Sequence, residues 1–381
     1  MTTTCVSRSP ISLKLEQFLP VHQPSDDYFS LLVPRGKLGD GTASEVFLFE
    51  CPSTAGGIEK IAVKVMRASR DSLNEIYGLL RAGAFEGRHP HIVQAYWAKF
   101  GRPEVTSPDF HSFEWVSVAL ELADSDILKV RNRYESVTQL PVEWSRWMWV
   151  RVLEAVNDLH TAGVYHNDIK AENILLVGQF PNYRPKVADF SLAVASPMPR
   201  AGSTGTHFYN PPEVAAHLTY LPEKVDTWEL GVLLIVMLCK AYPWDNALPK
   251  DPAFGAYMQT GMLPPHVAQY LDYGAQDLIR RCLTPDAHSR PATAELLRHP
   301  WVLGLPMSKP VPTATITEVF APAADPTPSE APETPSRAEL LGEELEAGAD
   351  ADADADPAIV LEVEENPAPA PEGTGLDHLS F

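Results

Sequence analysis

The chain has 381 residues, 45% of them hydrophobic and 21% charged, which suits one large folded domain with tails. A formal net charge of −20 excludes a non-specific nucleic-acid binder, because such proteins hold phosphates with basic surfaces. The charge is uneven: residues 302–381 carry 17 acidic and 2 basic residues and 12 of the 36 prolines, so a nearly charge-balanced globule precedes an acidic tail.

In chain order, residues 1–30 carry weak patterning and read as a flexible extension. Cys5, Cys51, Cys239 and Cys282 stand far apart with no C-x-x-C pair, which argues against disulfides or a zinc site and for a reducing compartment. No secretory signal is visible before residue 20, and the longest apolar run, 230–239, is half of what a bilayer needs. The expectation is an intracellular protein, cytoplasmic or nuclear, with no membrane and no nucleic acid among its partners.

From residue 31 the sequence turns β-like, with runs at 31–33, 46–49 and 61–65 separated by glycines and a Pro-Ser-Thr-Ala-Gly-Gly stretch. Leu73, Ile76, Leu79 and Leu80 have helical spacing, and runs at 92–100 and 115–122 predict another strand pair. Beyond about residue 123 the period becomes mainly helical, at 147–160, 225–239, 275–282 and 293–298. After Trp301 the patterning fails. An Ala/Asp alternation at 349–356 and a Pro/Ala alternation at 367–371 cannot bury enough apolar surface to offset chain ordering, so disorder is expected.

Two weak signals come first. Gly39-Asp40-Gly41 lies between strand-like runs, where glycines let a hairpin bring backbone N–H groups to a phosphate chain, though a plain turn explains it as well. Lys64 ends the strand-like Ile-Ala-Val-Lys 18 residues after Val46. The strong signal is His166-Asn167-Asp168-Ile169-Lys170-Ala171-Glu172-Asn173, then the apolar run 174–177 and Asp189-Phe190-Ser191. H-x-D-x-K-x-x-N arises by chance about once in 160,000 positions at uniform usage, so an ordinary Asp-Asn turn is a poor rival. It offers a carboxylate for a hydroxyl, an ammonium, and an amide oxygen for a hard cation, with Asp189 as a second oxygen ligand of the kind Mg²⁺ prefers.

At this point residues 31–301 resemble the eukaryotic-type protein kinase family, with the motifs in family order. Downstream, residues 205–213 resemble the end of an activation segment, 226–231 the start of the long buried C-lobe helix, and Arg290 the arginine that pairs with Glu213. The resemblance implies an α+β, two-lobed fold: a β-rich N-lobe at about 31–122, an α-rich C-lobe at about 123–304, and a disordered acidic tail at 305–381. It also implies a serine/threonine protein kinase using ATP and Mg²⁺. Gly39 and Gly41 would cover the phosphates, Val46 and Ala62 would lie above the adenine and Leu175 below it, with Leu122 and Ala123 among the nucleotide-binding residues. Lys64 would hold the α/β-phosphates with Glu75 as partner, or Glu86 as runner-up. Asp168 would orient the substrate hydroxyl, Lys170 would steady the γ-phosphate, and Asn173 and Asp189 would bind the metal.

Thr206 would bond Asp168 and Lys170, and Lys-Ala-Glu-Asn after Asp168 resembles serine/threonine kinases. Glu172 and Asp126 fall where kinases that favour basic residues upstream of the acceptor keep acids. Three departures stand out: Asn167 where regulated kinases have arginine, Ser191 for the glycine after Asp-Phe, and Ser44 for a third loop glycine. The first predicts activity without activation-segment phosphorylation, and a Cβ at 191 should restrict flipping of its tripeptide. His89-Pro90-His91 and the Trp144, Trp147, Trp149 cluster read as structural. Thr327-Pro328 and Thr334-Pro335 have the form of proline-directed kinase targets and the run 360–365 that of a strand added to a partner's sheet, though chance explains both tail readings as well. The rival from another class is a pseudokinase scaffold using fold and tail for binding. A small-molecule phosphotransferase is disfavoured by the complete activation segment.

Overall fold

The β-like runs of the N-terminal third become one antiparallel sheet. The computed structural model describes residues 26–41, 44–52, 57–87, 89–101, 115–133, 140–202, 204–305 and 307, so the tail readings and the first 25 residues lie outside it. Its first elements are helix α1 (Asp26–Ser30) and strands β1 (Val33–Asp40), β2 (Ser44–Pro52) and β3 (Ile58–Arg67). Helix α2 (Arg70–Arg81) and strands β4 (Ala95–Phe100) and β5 (Trp115–Glu121) follow, in the sheet order β1-β2-β3-β5-β4. Because successive side chains on a strand point to opposite faces, central β3 feeds two cores. Ile61, Val63 and Val65 pack with Phe49, Trp97 and Ala119, whereas Met66 lies with Val116, Val118 and Leu120 on the side of Ile76 and Leu79 of α2.

Two expectations change here. The weak patterning of residues 1–30 predicts a flexible extension, yet Phe29 is buried edge-on against Trp97 at 5.0 Å, with Lys99 Nζ 4.1 Å from its ring centre. The packed domain therefore begins before Leu31, where one aromatic residue covers the outer face of the sheet. The strand predicted at 92–100 starts only at Ala95. The preceding pair is drawn elsewhere, since Val93 N–H donates to Val187 O at 2.9 Å and Val187 N–H to His91 O at 2.8 Å.

α2 starts at Ser69 through a reciprocal cap: Ser72 Oγ accepts from Ser69 N–H (2.9 Å) and Ser69 Oγ from Ser72 N–H (3.3 Å). Such a cap satisfies donors that a helix start leaves open.

The C-terminal part contains β6 (Ser125–Asp126), α3 (Ile127–Arg133), α4 (Val142–Thr161), β7 (Ile174–Val177) and β8 (Arg184–Val187). Helices α5 (Pro212–Ala215), α6 (Pro222–Cys239), α7 (Pro252–Thr260), α8 (Pro265–Ala268), α9 (Tyr273–Cys282) and α10 (Thr293–Leu296) complete it. Strands β6, β7 and β8 form a small sheet that the helical period hid, because a four-residue apolar run has no period of its own. α6 is apolar almost all round and buried through nearly its whole length, as such a helix must be. Trp149 Nε1 of α4 donates to Leu230 O of α6 at 2.8 Å, while Trp147 stays 45% exposed. Among the described residues no helix is long and apolar enough to cross a membrane.

Arg290 joins the segment ahead of α10 to α5. Its Nη1 and Nη2 meet Glu213 Oε1 and Oε2 at 2.6 and 2.7 Å, its Nε donates to Thr284 O, and its guanidinium lies 4.8 Å from the Trp228 ring centre. A planar fork matched to a carboxylate gives two parallel charge-assisted bonds, and burial makes losing one partner costly. Arg290→Ala is expected to lower stability by about 3–5 kcal/mol, read from the denaturant midpoint at unchanged slope.

Candidate active site

Lys64 is where the two halves of the domain meet. β3 carries it on the same face as Ala62, in register with Val46 of β2 and Val118 of β5, and its side chain is nearly buried. Nζ donates to Glu75 Oε2 of α2 and to Asp189 Oδ1, both at 2.8 Å. The partner left open in the sequence is thus Glu75; Glu86 lies beyond the end of α2 and is exposed. Burial alone would depress the Lys64 ammonium, but Glu75 and Asp189 outweigh it and raise its pKa. One cation cannot serve two carboxylates equally. Fully enclosed Glu75 is pushed up to about 7 by burial against the pull of Lys64. Asp189 also feels burial, yet Lys64 and the Ser191 hydroxyl hold it well below the usual carboxylate range.

The backbone around Asp189 is clamped from three sides. Asp189 has φ 65°, a left-handed conformation that few non-glycine residues adopt. Ser191 Oγ donates to Asp189 Oδ1 at 2.8 Å, so the serine in place of a glycine ties the tripeptide to itself. Asn74 Nδ2 of α2 donates to Ser191 O at 3.2 Å. Phe190, wholly buried, lies so close to α2 that a Cβ on Gly78 would sit 2.9 Å from Phe190 Cβ.

Below Lys64, the segment between α4 and β7 presents the second set. Asp168 Oδ2 accepts from Lys170 Nζ (2.6 Å) and Asn173 Nδ2 (2.9 Å), and its Oδ1 accepts from Thr206 Oγ1 (3.0 Å). Lys170 Nζ also donates to Thr206 Oγ1 at 2.9 Å. Asn173 commits its amide nitrogen to Asp168, through Oδ2 and the backbone O, which leaves its amide oxygen available as a hard donor. The segment is anchored by Asp226 of α6, whose Oδ1 accepts from Asn167 N–H (2.6 Å) and whose Oδ2 accepts from His166 N–H (2.9 Å) and meets His160 Nε2 (2.7 Å). Asn167 is buried at φ 58° and turns its amide to Tyr165 O, not to the activation segment.

The residues expected to bind nucleotide are distributed over the large sheet, the link that follows it and β7. Gly39 pairs with Val46 at the tip of the β1–β2 hairpin, and a Cβ on Gly41 would lie 2.7 Å from Ser44 Oγ, so the serine hydroxyl packs directly against the glycine. Ala62 pairs with Leu48 and Leu120. Leu122 and Ala123 are half-buried in the link to the small sheet, which Asp124 pins by donating its N–H to Leu176 O at 2.9 Å. Leu175 sits in β7 opposite Lys186. Thr42 and Ala43 lie outside the described residues.

Some participants were not singled out in the sequence. Lys186 of β8 meets Glu121 Oε1 at 2.6 Å, and that oxygen also accepts from Gln94 N–H at 2.7 Å, joining the end of β5 to the small sheet. A lysine three residues before Asp189 was a weak signal for it. Glu229, an acid inside an apolar helix, is a stronger signal. Asp126 is not a free acid: its Oδ1 accepts from Lys129 N–H at 2.7 Å and its Oδ2 pairs with Lys129 Nζ at 2.9 Å.

A family model described as the protein kinase domain matches residues 32–302. CBL-interacting protein kinase 4 of Oryza sativa subsp. japonica is 30% identical over 279 residues, which is 69% of this chain and 56% of the relative. Testis-specific serine/threonine-protein kinase 3 of Mus musculus is 33% identical over 168 residues, 43% of this chain and 60% of the relative. Calcium/calmodulin-dependent protein kinase type 1 of Caenorhabditis elegans is 29% identical over 281 residues, 71% of this chain and 74% of the relative. The chain thus spans 56% and 60% of the length of the first two. A matched domain of this extent, built around the pairs just described, places the chain in the protein kinase family, among relatives that include a serine/threonine-protein kinase.

Proposed function

We propose that the protein is a catalytically active serine/threonine protein kinase that transfers the γ-phosphoryl group of Mg-ATP to hydroxyls of other proteins. The observation that carries this reading is the presence together of Lys64, Asp168, Asn173 and Asp189 in two hydrogen-bonded pairs, Lys64 with Asp189 and Asn173 with Asp168. A pseudokinase scaffold has no physical need for all four.

In this reading the chain supplies positions and fixed charges rather than a nucleophile. Lys64, kept cationic by its carboxylates, holds the α/β-phosphates beneath Gly39 and Gly41. Val46, Ala62, Leu122, Ala123 and Leu175 enclose the base. Asp168 orients the incoming hydroxyl and takes up its proton as the oxygen–phosphorus bond forms and the γ-phosphate leaves ADP. Lys170 and Thr206 fix the Asp168 carboxylate and offset charge on the transferred group. Asn173 and Asp189 would hold the metal: a carboxylate and an amide oxygen are hard donors, and Asp189 stays ionised at any physiological pH. Magnesium, when bound, neutralises charge on the phosphate oxygens.

The acceptor preference leans on Glu172 alone, since Asp126 is spent on Lys129. Phosphorylation of the activation segment is not required, because Asn167 presents no cation to read it.

The test is transfer of labelled phosphate from ATP to a generic basic protein. Asp168→Ala should lower the rate about 10²–10⁴-fold, whereas equal labelling by parent and variant contradicts the enzyme reading. Parent protein treated with a phosphatase should keep its activity, and near-complete loss on that treatment contradicts the role given to Asn167.

A further inference from the structure

Glu229 is fully buried in α6, at the level of the segment that carries Asp168. Its Oε2 accepts from Ile169 N–H at 2.7 Å, and its Oε1 has no hydrogen-bond partner among the described residues. What Oε1 faces is visible at Gly205. A Cβ built there would sit 3.0 Å from Glu229 Oε1, 3.0 Å from Asn167 O and 3.1 Å from Asn210 Oδ1. Three oxygens thus lie around one point beside a glycine held at φ 64°, and Asn210 Oδ1 also has no hydrogen-bond partner among the described residues. Among the described residues the Asn167 carbonyl accepts one long side-chain bond, from Thr204 Oγ1 at 3.3 Å.

Acceptors facing acceptors repel unless a proton lies among them. An ionised Glu229 would add a full charge to that repulsion inside the core, where desolvation of an unpaired carboxylate is expensive. The surrounding charges do not relieve it. Asp226, one turn earlier on α6, is a second carboxyl that already takes the His166 and Asn167 amides and His160 Nε2 of α4. From the catalytic segment come Asp168 and Lys170, and Lys170 is committed to Asp168 and Thr206. Tyr209, on the turn after Gly205, accepts from Ala171 N–H. Arg290 lies on Trp228 but is bound to Glu213, and Cys282 of α9 lies against Gly231.

We propose that Glu229 is a positioning residue: as a neutral carboxylic acid it bonds the Ile169 amide through one oxygen and donates its proton through the other to the oxygens around Gly205, clamping the catalytic segment to the activation segment. The proposal rests on the kinase reading for its consequence, not for its chemistry. Ile169 follows Asp168, and Thr206, next to Gly205, donates to the Asp168 carboxylate. One buried carboxyl therefore steadies Asp168 from both sides. Burial first, then Asp226 and Asp168, push the Glu229 carboxyl well above the ordinary carboxylate range, which fits a neutral acid. When it ionises at higher pH the clamp opens and Thr206 leaves Asp168.

A carboxyl whose folded-state pKa is raised contributes stability that is complete below its unfolded value and is lost as pH rises toward the folded one. Glu229→Gln mimics the neutral acid, with a carbonyl for Ile169 and an N–H for the facing oxygens. Glu229→Leu keeps similar bulk but leaves the Ile169 N–H unpaired. Parent, Gln and Leu proteins are compared by melting temperature and by phosphotransfer rate across pH. The parent should lose stability and kcat toward alkaline pH relative to the Gln variant, which keeps a parent-like rate near neutrality. The Leu variant should lose about tenfold or more in kcat at every pH. The proposal is overturned if the Gln and parent melting curves run parallel across pH, or if Gln loses as much kcat as Leu. A Gln variant that does not fold overturns it too, since it supplies both bonds of the acid. Should the parent transfer no phosphate, the kinase reading fails while the melting curves still decide on Glu229.

Discussion

An ammonium group removed from water needs anionic partners at close range, and this domain is built so that the partners of Lys64 come from elements that do not touch in sequence. Glu75 stands on α2 and Asp189 follows β8, 125 residues from Lys64. Holding both at 2.8 Å requires α2 to be seated against the sheet and the Asp189 tripeptide to adopt its left-handed turn at once. The missing side chain of Gly78, the Asn74 bond to Ser191 O and the Ser191 hydroxyl all serve that seating. The ion pair is thus the local result of how three parts of the fold meet.

The second anchor is α6, a helix that reads as a hydrophobic span and behaves as a scaffold. Its two buried acids are spent on backbone: Asp226 gathers the amides of His166 and Asn167, and Glu229 takes that of Ile169. A loop with left-handed Asn167 would be costly in isolation. Here the N–H groups of His166, Asn167 and Ile169 each end on a side chain that cannot move without unpacking the core. The result is a stiff platform for Asp168, with Thr206 and Lys170 completing the carboxylate's surroundings.

Much of this was legible in the sequence. The H-x-D-x-K-x-x-N run has fixed spacing and rare composition, so it located Asp168, Lys170 and Asn173 without structure, and the period of 73–80 put Glu75 on a helix facing the sheet. The rest failed for physical reasons. Strands β7 and β8 are too short to show a period, and Ile92 and Val93 look like strand because apolar β-branched residues do so whichever sheet they join. Phe29 gave no pattern, since a single aromatic residue covering a sheet carries no repeat. The Lys186–Glu121 pair and the acceptor cluster at Gly205 depend on contacts between distant segments. Glu229 was readable in principle: an acid in an apolar helix needs a reason.

The central claim is that the Lys64–Glu75–Asp189 arrangement and Asn173 form a ready receptacle for a nucleotide's phosphates and its metal. A crystal structure grown with magnesium and a non-hydrolysable ATP analogue tests it directly. The account predicts phosphate oxygens against Lys64 Nζ with the Glu75 contact retained, and Asp189 and Asn173 oxygens on the ion. A cleft filled by the protein's own side chains, or a nucleotide bound away from Lys64, would contradict it.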